Sequence, residues 1–367
     1  MAVSNPVVPV ALAYRPALNY VRAVAVWLVV LAHWTLVRLP VGEIGRTTFF
    51  VLSGYLISGI IWKYEVRLGR TARHWRRLGI FYSRRALRIL PPYFLALALS
   101  ALLPLATLRE HPGWFVLPLS NLLFYRLQHW GEGLGHFWTL AVDEQFYLVW
   151  PLVLALLPRR PAPLLLVALV GPLFRAVWTW RAGPGFVLVL LPSSFDLFAA
   201  GALLRHTEHW PGLRRLARAR WVLLVWATWL VCYPLVHELR NGDAWWTIFF
   251  PMLEAAGGFL TISWAMRRWP ATSQLGLLGR AGQWVGQRSY GCYLYHLLLP
   301  VLYQRVVYRL LPATAPNFAA LRQFWLSPLP TVLLLAPILL ALTAASWVWV
   351  EAPLERLKAR LPYKADA

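Results

Sequence analysis

The sequence predicts an all-α integral membrane protein, a polytopic bundle of about ten transmembrane helices with both termini cytoplasmic. Hydrophobic residues make up 59% of the 367 residues. Apolar runs of about 18–22 residues recur along the chain, each long enough to cross roughly 30 Å of hydrocarbon. The net charge is +22, and most of the arginines fall in segments that face the cytoplasm on this topology.

The predicted spans divide the chain into a membrane domain with short flanking segments. The spans cover residues 20–39, 45–62, 91–108, 136–157, 162–180, 185–204, 221–237, 245–266, 288–307 and 327–350. A basic segment, 63–90, precedes the third span, which Pro91 and Pro92 are expected to open because proline suits a helix's first turn. We expect an N-terminal cytoplasmic segment at 1–19, a transmembrane domain at 20–355 and a C-terminal cytoplasmic tail at 356–367.

Several classes of site are not expected. Cys232 and Cys292 both fall within predicted spans, so neither a disulfide framework nor a metal site is indicated. The positive charge is explained by topology, so no nucleic-acid partner is expected. We expect no removable signal peptide, because no charged n-region precedes a cleavage site. Gly45 and Gly54, around the second span, favour close helix approach or a kink.

The first predicted span carries two ionisable residues. Arg22 lies near its start and His33 follows eleven residues later. About three helical turns separate the two residues, so they share a face roughly 16 Å apart. The span limits put His33 near mid-membrane, where an ionisable residue is costly and usually faces the bundle interior. His33 is therefore either a hydrogen-bonded packing residue or a functional one.

Two adjacent acids, Asp143 and Glu144, lie in the fourth predicted span. Adjacent residues on a helix point about 100° apart, so we expect that the two acids cannot face the same neighbour. Buried carboxylates are costly unless they are paired. The candidate partners are Arg22, Arg46, Arg175 and His33. A buried ion pair that only fixes helix packing is the alternative to a functional role.

A polar stripe occurs in the ninth predicted span. Ser289, Tyr293 and His296 follow a spacing of i, i+4 and i+7, which puts them on one helix face. Such a stripe lines a cavity or forms a hydrogen-bonded seam between helices, and the spacing fits both.

Charged residues also mark the expected cytoplasmic side. Arg84, Arg85 and Arg88 come just before the third span, and Glu351 ends the tenth. Arginines in this position anchor topology. Guanidinium groups also bind phosphate in a bidentate way, so the three are candidates for holding a nucleotide-like ligand. Glu351 is either an ion-pairing partner for nearby cations or a functional acid.

Six motifs occur in a fixed order. They are RAVA followed by His33 (22–33), GRTTFFVLSGYLI (45–57), RRALRILP (84–91), WTLAVDEQFY (138–147), SYGCYLYH (289–296) and EAP (351–353). Together they resemble acyltransferase family 3, the integral membrane acyltransferases of the O-antigen, exopolysaccharide and macrolide type. The resemblance spans residues 20 to about 355, nearly the whole chain. Asp143 departs from the glutamate often found at its position in this family.

The resemblance implies a reaction and a location. We expect transfer of a short acyl group, acetyl in the first instance, from acyl-CoA to a hydroxyl of a carbohydrate or glycolipid. The enzyme would be a multi-pass protein of the bacterial inner membrane. It would have no permanently bound cofactor, and acetyl-CoA would act as co-substrate.

The resemblance also implies roles for individual residues. His33 would be the general base and Arg22 its partner or a donor contact, with Asp143, Glu144 and Glu351 as further catalytic candidates. The arginines Arg84, Arg85 and Arg88 would bind CoA. The residues Ser289, Tyr293, His296 and Trp138 would contact substrate.

Two other functions stay open. The acceptor could be a macrolide or another secondary metabolite. The polar residues predicted inside the bundle could also belong to a transporter or flippase without acyl-transfer activity. Inverted repeats with broken helices would favour that function. The sequence shows no such repeat. An acyl-enzyme relay through Ser53 or Ser289 is not required by the spacing.

Overall fold

The computed structural model describes residues 15–35, 40–66, 71–239, 242–269, 276–312, 318–358 and 360–363, and its regular structure there is entirely helical. The first nine α-helices are α1 (Pro16–Thr35), α2 (Val41–Tyr64), α3 (Ala72–Ala101), α4 (Ala106–Glu110), α5 (Pro112–Val116), α6 (Ser120–Leu127), α7 (Phe137–Leu156), α8 (Pro161–Ala182) and α9 (Phe195–Thr207). The others are α10 (Leu213–Leu216), α11 (Ala219–His237), α12 (Gly242–Arg268), α13 (Leu277–Gln287), α14 (Ser289–Tyr295), α15 (Leu298–Leu310), α16 (Ala319–Trp325), α17 (Pro328–Ser346) and α18 (Ala352–Lys358).

Seven segments of the described chain are long and apolar enough to cross a membrane. They are α1, α2, α7, α8, α11, α12 and the run Pro328–Lys358. Seven of the ten predicted spans coincide with these segments, which confirms an all-helical, multi-span protein. The first predicted span continues to residue 39, but residues 36–39 lie outside the described part of the chain.

The third predicted span belongs to a longer helix. α3 continues through Pro91 and Pro92, so the prediction that they open a helix was wrong. Much of the basic segment 63–90 is also helical, because α3 begins at Ala72. Neighbouring elements support α3 near the prolines, where the Tyr290 hydroxyl donates a hydrogen bond of 3.0 Å to the Ile89 carbonyl.

The sixth and ninth predicted spans are also different in the structure. Helix α9 has 13 residues, or about 20 Å at 1.5 Å per residue, and two 3₁₀ turns (Val187–Val189 and Leu191–Ser194) precede it. The ninth span is broken between α14 and α15. The break falls at His296 and Leu297, so a polar residue lies where the helix is interrupted.

Glycines allow α2 to lie close against its neighbours. A Cβ atom on Gly54 would lie 2.0 Å from the carbonyl oxygen of Phe198 on α9. One on Gly45 would lie 2.3 Å from the carbonyl oxygen of Ala25 on α1. No side chain fits at such distances, so the expected close helix approach is confirmed. Helix α2 thereby becomes the central helix of the bundle, in contact with α1, α7, α9 and α12.

Two of the arginines considered as partners for Asp143 and Glu144 are paired elsewhere. Arg175 is fully buried and forms an ion pair of 2.7 Å with Asp196 between α8 and α9. Arg46 pairs with Glu43 at 2.5 Å and lies 3.6 Å from Glu254 on α12. The Arg175–Asp196 and Arg46–Glu254 contacts join different helices, whereas Arg46 and Glu43 both lie on α2.

Candidate active site

A cavity of about 120 Å³ lies inside the bundle among α1, α2, α3, α7 and α14. Side chains at turn-spaced positions along these helices line it, from Arg46 to Ile57 on α2 and from Thr139 to Tyr147 on α7. On α2 these two residues are eleven positions apart, or about 16 Å along the helix. The cavity is thus elongated along the helices, and its two ends have different chemistry.

One end of the cavity is cationic. Arg85 and Arg88 reach it from α3, and Arg22 reaches it from α1. The guanidinium carbon of Arg85 lies 5.5 Å from the centroid of the Tyr147 ring, in cation–π range. Arg85 and Arg88 share a helix face because they are three residues apart.

Arg84 is directed away from this end. Its Nη1 atom donates hydrogen bonds to the carbonyl oxygens of Lys358 at 2.6 Å and Leu361 at 2.9 Å. Adjacent side chains on α3 diverge by about 100°, and here Arg85 faces the cavity while Arg84 faces the C-terminal segment. The structure therefore brings together two of the three arginines of the basic motif and uses Arg84 to hold the C-terminal segment.

Both acids of α7 line the middle of the cavity. Asp143 and Glu144 each interact electrostatically with Arg85, and Ser53 also lines the cavity here. Although Asp143 and Glu144 are adjacent on α7, both of them line this one cavity. Asp143 Oδ1 and Glu144 Oε1 are buried and have no hydrogen-bond partner in the described structure.

The other end of the cavity is closed by hydroxyl groups. Tyr293 and Thr139 hydrogen-bond to each other at 2.7 Å. The Arg46 guanidinium lies beside them, 5.3 Å from the ring centroid of Trp138. Ser289 and Tyr293 of the predicted polar stripe line the cavity, whereas Trp138 does not and instead packs against Arg46 and Phe50.

His33 lies beyond this closed end. It is in the last turn of α1 rather than in the middle of the helix. Helix α1 begins before the predicted span and ends at Thr35, which leaves His33 at its tip. The His33 side chain is exposed and does not line the cavity. About three helical turns separate it from Arg22, too far for direct contact.

Three histidines meet at this position. His33 Nδ1 lies 2.8 Å from the carbonyl oxygen of Val29 and 3.2 Å from His296 Nε2. The ring centroids of His296 and His136 are 5.0 Å apart. The sequence does not single out His136, which begins the fourth predicted span. A histidine one residue before α7 was the only signal that could have identified it.

The contacts of His33 determine which nitrogen is available for chemistry. A carbonyl oxygen only accepts hydrogen bonds, so in the neutral ring Nδ1 carries the proton. Nε2 then carries a lone pair that can accept a proton. A histidine held in this way can remove a proton from a hydroxyl group that approaches from outside the bundle.

Glu351 lies apart from both the cavity and the histidines. It is buried at the end of a π-helical turn, Trp347–Glu351. Ser346 donates a hydrogen bond of 3.2 Å to Glu351 and accepts one of 2.8 Å from Tyr295. Glu351 does not line the cavity but is linked through these contacts to α14, which carries Ser289 and Tyr293.

The fold and the site define a polytopic membrane protein whose arginine-lined cavity leads towards a cluster of histidines. The chain belongs to the acyltransferase domain family, whose model matches residues 15–350.

The chain is similar to bacterial O-acetyltransferases. Peptidoglycan O-acetyltransferase OatA of Listeria monocytogenes is 27% identical over 342 residues, which cover 79% of this chain and 50% of that protein. O-acetyltransferase OatA of Staphylococcus aureus is 31% identical over 165 residues, which cover 41% of this chain and 26% of that protein. The chain thus spans half or less of the length of these relatives. No solved structure matches it.

Proposed function

We propose that this protein is a membrane O-acetyltransferase that moves an acetyl group from acetyl-CoA to a hydroxyl of a carbohydrate acceptor. One observation carries the proposal. One cavity extends from the cationic end, formed by Arg85 and Arg88, to Tyr293. The contact between His296 and His33 lies beyond Tyr293. Family membership and the names of the relatives support the same reaction.

The donor would enter at the cationic end. Phosphate groups of CoA would bind Arg85 and Arg88, with Arg22 opposite them, because guanidinium groups match phosphate oxygens. CoA carries its thioester at the end of a long flexible arm, which would extend along the cavity towards Tyr293. The unpartnered oxygens of Asp143 and Glu144 lie on this route and would accept hydrogen bonds from the amide groups of the arm.

The acceptor would react at His33. Its hydroxyl oxygen attacks the thioester carbonyl carbon while His33 Nε2 removes the hydroxyl proton. The carbon–sulfur bond then breaks, and the sulfur of CoA leaves and takes a proton from the His33 imidazolium. The products are the O-acetyl ester and free CoA. A positioned base of this kind contributes about 10²–10⁴-fold to the rate.

The acceptor and the orientation are inferred from chemistry and charge. The Listeria relative is named for peptidoglycan, so a glycan hydroxyl is the first candidate, ahead of a glycolipid or a macrolide. The arginines of α3 and the basic C-terminal segment favour a ten-span arrangement in the bacterial inner membrane, with both termini cytoplasmic. Arg22, at the cytoplasmic end of α1, would then face the donor, and His33 would face the opposite side.

The decisive experiment uses the purified protein in lipid vesicles. Acetyl-CoA labelled in the acetyl group is supplied on the side of the C-terminus, and acceptors are supplied on the other side. The acceptor panel holds peptidoglycan fragments, a lipid-linked glycan and a macrolide. Labelled ester on one class of acceptor supports the proposal and identifies that class. Absence of labelled ester with every acceptor, together with uptake of an unmodified compound, would indicate a transporter.

A further inference from the structure

We propose that His296 is a positioning residue that holds the ring of His33 in the tautomer and orientation needed for a base. The proposal rests on the proposed function, in which His33 removes the acceptor's proton. His296 Nε2 lies 3.2 Å from His33 Nδ1. His296 comes from the break between α14 and α15, and His33 comes from the tip of α1.

Backbone carbonyls fix the proton positions on both rings. His296 Nδ1 lies 2.7 Å from the carbonyl oxygen of Tyr293 and must donate to it. In the neutral ring this leaves Nε2 of His296 as a lone-pair acceptor. His33 Nδ1 carries a proton because it faces the Val29 carbonyl at 2.8 Å. The two rings are therefore complementary, with His33 Nδ1–H shared between Val29 and His296.

The arrangement sets the state of the reactive nitrogen. With Nδ1–H of His33 engaged by two acceptors, Nε2 of the neutral ring has no proton. When Nε2 takes the acceptor's proton, the Nδ1–H donor becomes part of a cation. A hydrogen bond from a charged donor is stronger than one from a neutral donor, so His296 stabilises the protonated intermediate more than the resting base.

The surroundings keep His296 in place. Its side chain is completely buried, and the His136 ring packs against it at a centroid distance of 5.0 Å. The indole N–H of Trp34 donates a hydrogen bond of 2.8 Å to the carbonyl oxygen of His296. Consecutive residues of α1, His33 and Trp34, thus both contact His296. This double attachment fixes the tip of α1 against the helix break.

A merely structural histidine would also be buried and hydrogen-bonded, so the test must detect the contact itself. A hydrogen bond from one nitrogen to another produces a ¹⁵N–¹⁵N coupling in NMR spectra. The full chain is labelled with ¹⁵N-histidine in lipid vesicles, and a His33→Gln variant assigns the signals. We expect a correlation between Nδ1 of His33 and Nε2 of His296. Its absence in the wild-type protein would overturn the proposal without any variant of His296.

Kinetics then test the consequence. His296→Phe keeps the approximate size of the ring and removes the acceptor. We expect kcat to fall at least about tenfold, and by no more than the 10²–10⁴-fold that the positioned base itself contributes. The KM for acetyl-CoA should change less than about threefold, because the cationic end of the cavity is untouched. His296→Gln retains an acceptor oxygen near the position of Nε2 and should recover much of the loss.

The matched control is His111→Gln, at a histidine between α4 and α5 that does not line the cavity. It should leave kcat unchanged. Equal losses in His296→Phe and His296→Gln would show a packing role and contradict the proposal. Full activity of His296→Phe would contradict it as well. If His33→Ala retains full activity, the general-base assignment fails instead, and the NMR correlation still reports separately on the contact.

Discussion

The hydroxyl groups of Tyr293 and Thr139 lie 2.7 Å apart and close the end of the cavity that faces the histidines. Thr139 donates its own proton to the carbonyl oxygen of His136 at 2.8 Å. Tyr293 must therefore donate to Thr139, because each hydroxyl has one proton. The pair separates the space proposed for the donor from His33. The thioester can therefore reach the base only by passing the Tyr293 side chain.

This barrier predicts a change in partition between transfer and hydrolysis. Tyr293→Ala removes the ring and opens the end of the cavity, so water should reach the thioester. We expect hydrolysis of acetyl-CoA without acceptor to rise severalfold while acetyl transfer falls. The measurement is release of free CoA with and without acceptor. Tyr293→Phe retains the ring and serves as the control. Unchanged hydrolysis in Tyr293→Ala would show that another group forms the barrier.

His33 provides the most direct prediction. His33→Ala should lower kcat for acetyl transfer by about 10²–10⁴-fold, because it removes the base and leaves the donor cavity intact. The variant should insert into membranes in normal yield, since the side chain is exposed at the tip of α1. Donor binding, measured by calorimetry with a non-reactive CoA analogue, should be retained. Transfer at the wild-type rate would exclude His33 as the base.

The different surroundings of Arg84 and Arg88 give a matched pair of variants. Arg88→Gln should raise the KM for acetyl-CoA about 10–100-fold, because a hydrogen bond to a charged group contributes about 1.5–3 kcal/mol. Arg84→Gln should change that KM much less, since Arg84 binds the carbonyl oxygens of Lys358 and Leu361. Steady-state kinetics on both proteins separates the two roles. Similar KM changes would mean that the C-terminal segment releases Arg84 to the donor.

The buried pair of Arg175 and Asp196 predicts a stability effect without a direct catalytic one. Arg175→Met leaves Asp196 buried without its cation and should lower the free energy of unfolding by about 3–5 kcal/mol. The double variant with Asp196→Leu should recover part of this loss, because both charges are then removed. Thermal unfolding in detergent measures both. Two additive losses would show that the charges do not act as a pair.

Most of the architecture could be predicted from hydropathy. The length of the apolar runs identified α1, α2, α7, α8, α11, α12 and α17. In lipid an open chain can hydrogen-bond all of its backbone N–H and C=O groups only as a helix. The same criterion misplaced the start of α3 and missed the break at His296. Both depend on contacts from other helices, such as the bond from Tyr290 to Ile89, which no local pattern contains.

The site was predicted in part. The sequence singled out His33, Asp143, Glu144 and the arginine motif because ionisable residues stand out in apolar helices. It could not separate Arg84 from Arg85, since both belong to one basic run and only the packing of α3 decides which faces the cavity. It also missed His136, which lies at the boundary of a predicted span. A polar residue is expected at such a boundary because it can lie outside the hydrocarbon.

The sequence by itself determined the class of protein, the approximate position of most spans and the residue types available for chemistry. These follow from the cost of placing polar groups in hydrocarbon, which is a local property of the chain. Tertiary structure alone decided that Arg85 and Arg88 share a cavity with Asp143, and that His33 meets His296 rather than Arg22. Such contacts join residues up to 263 positions apart, and their distances depend on how the helices pack.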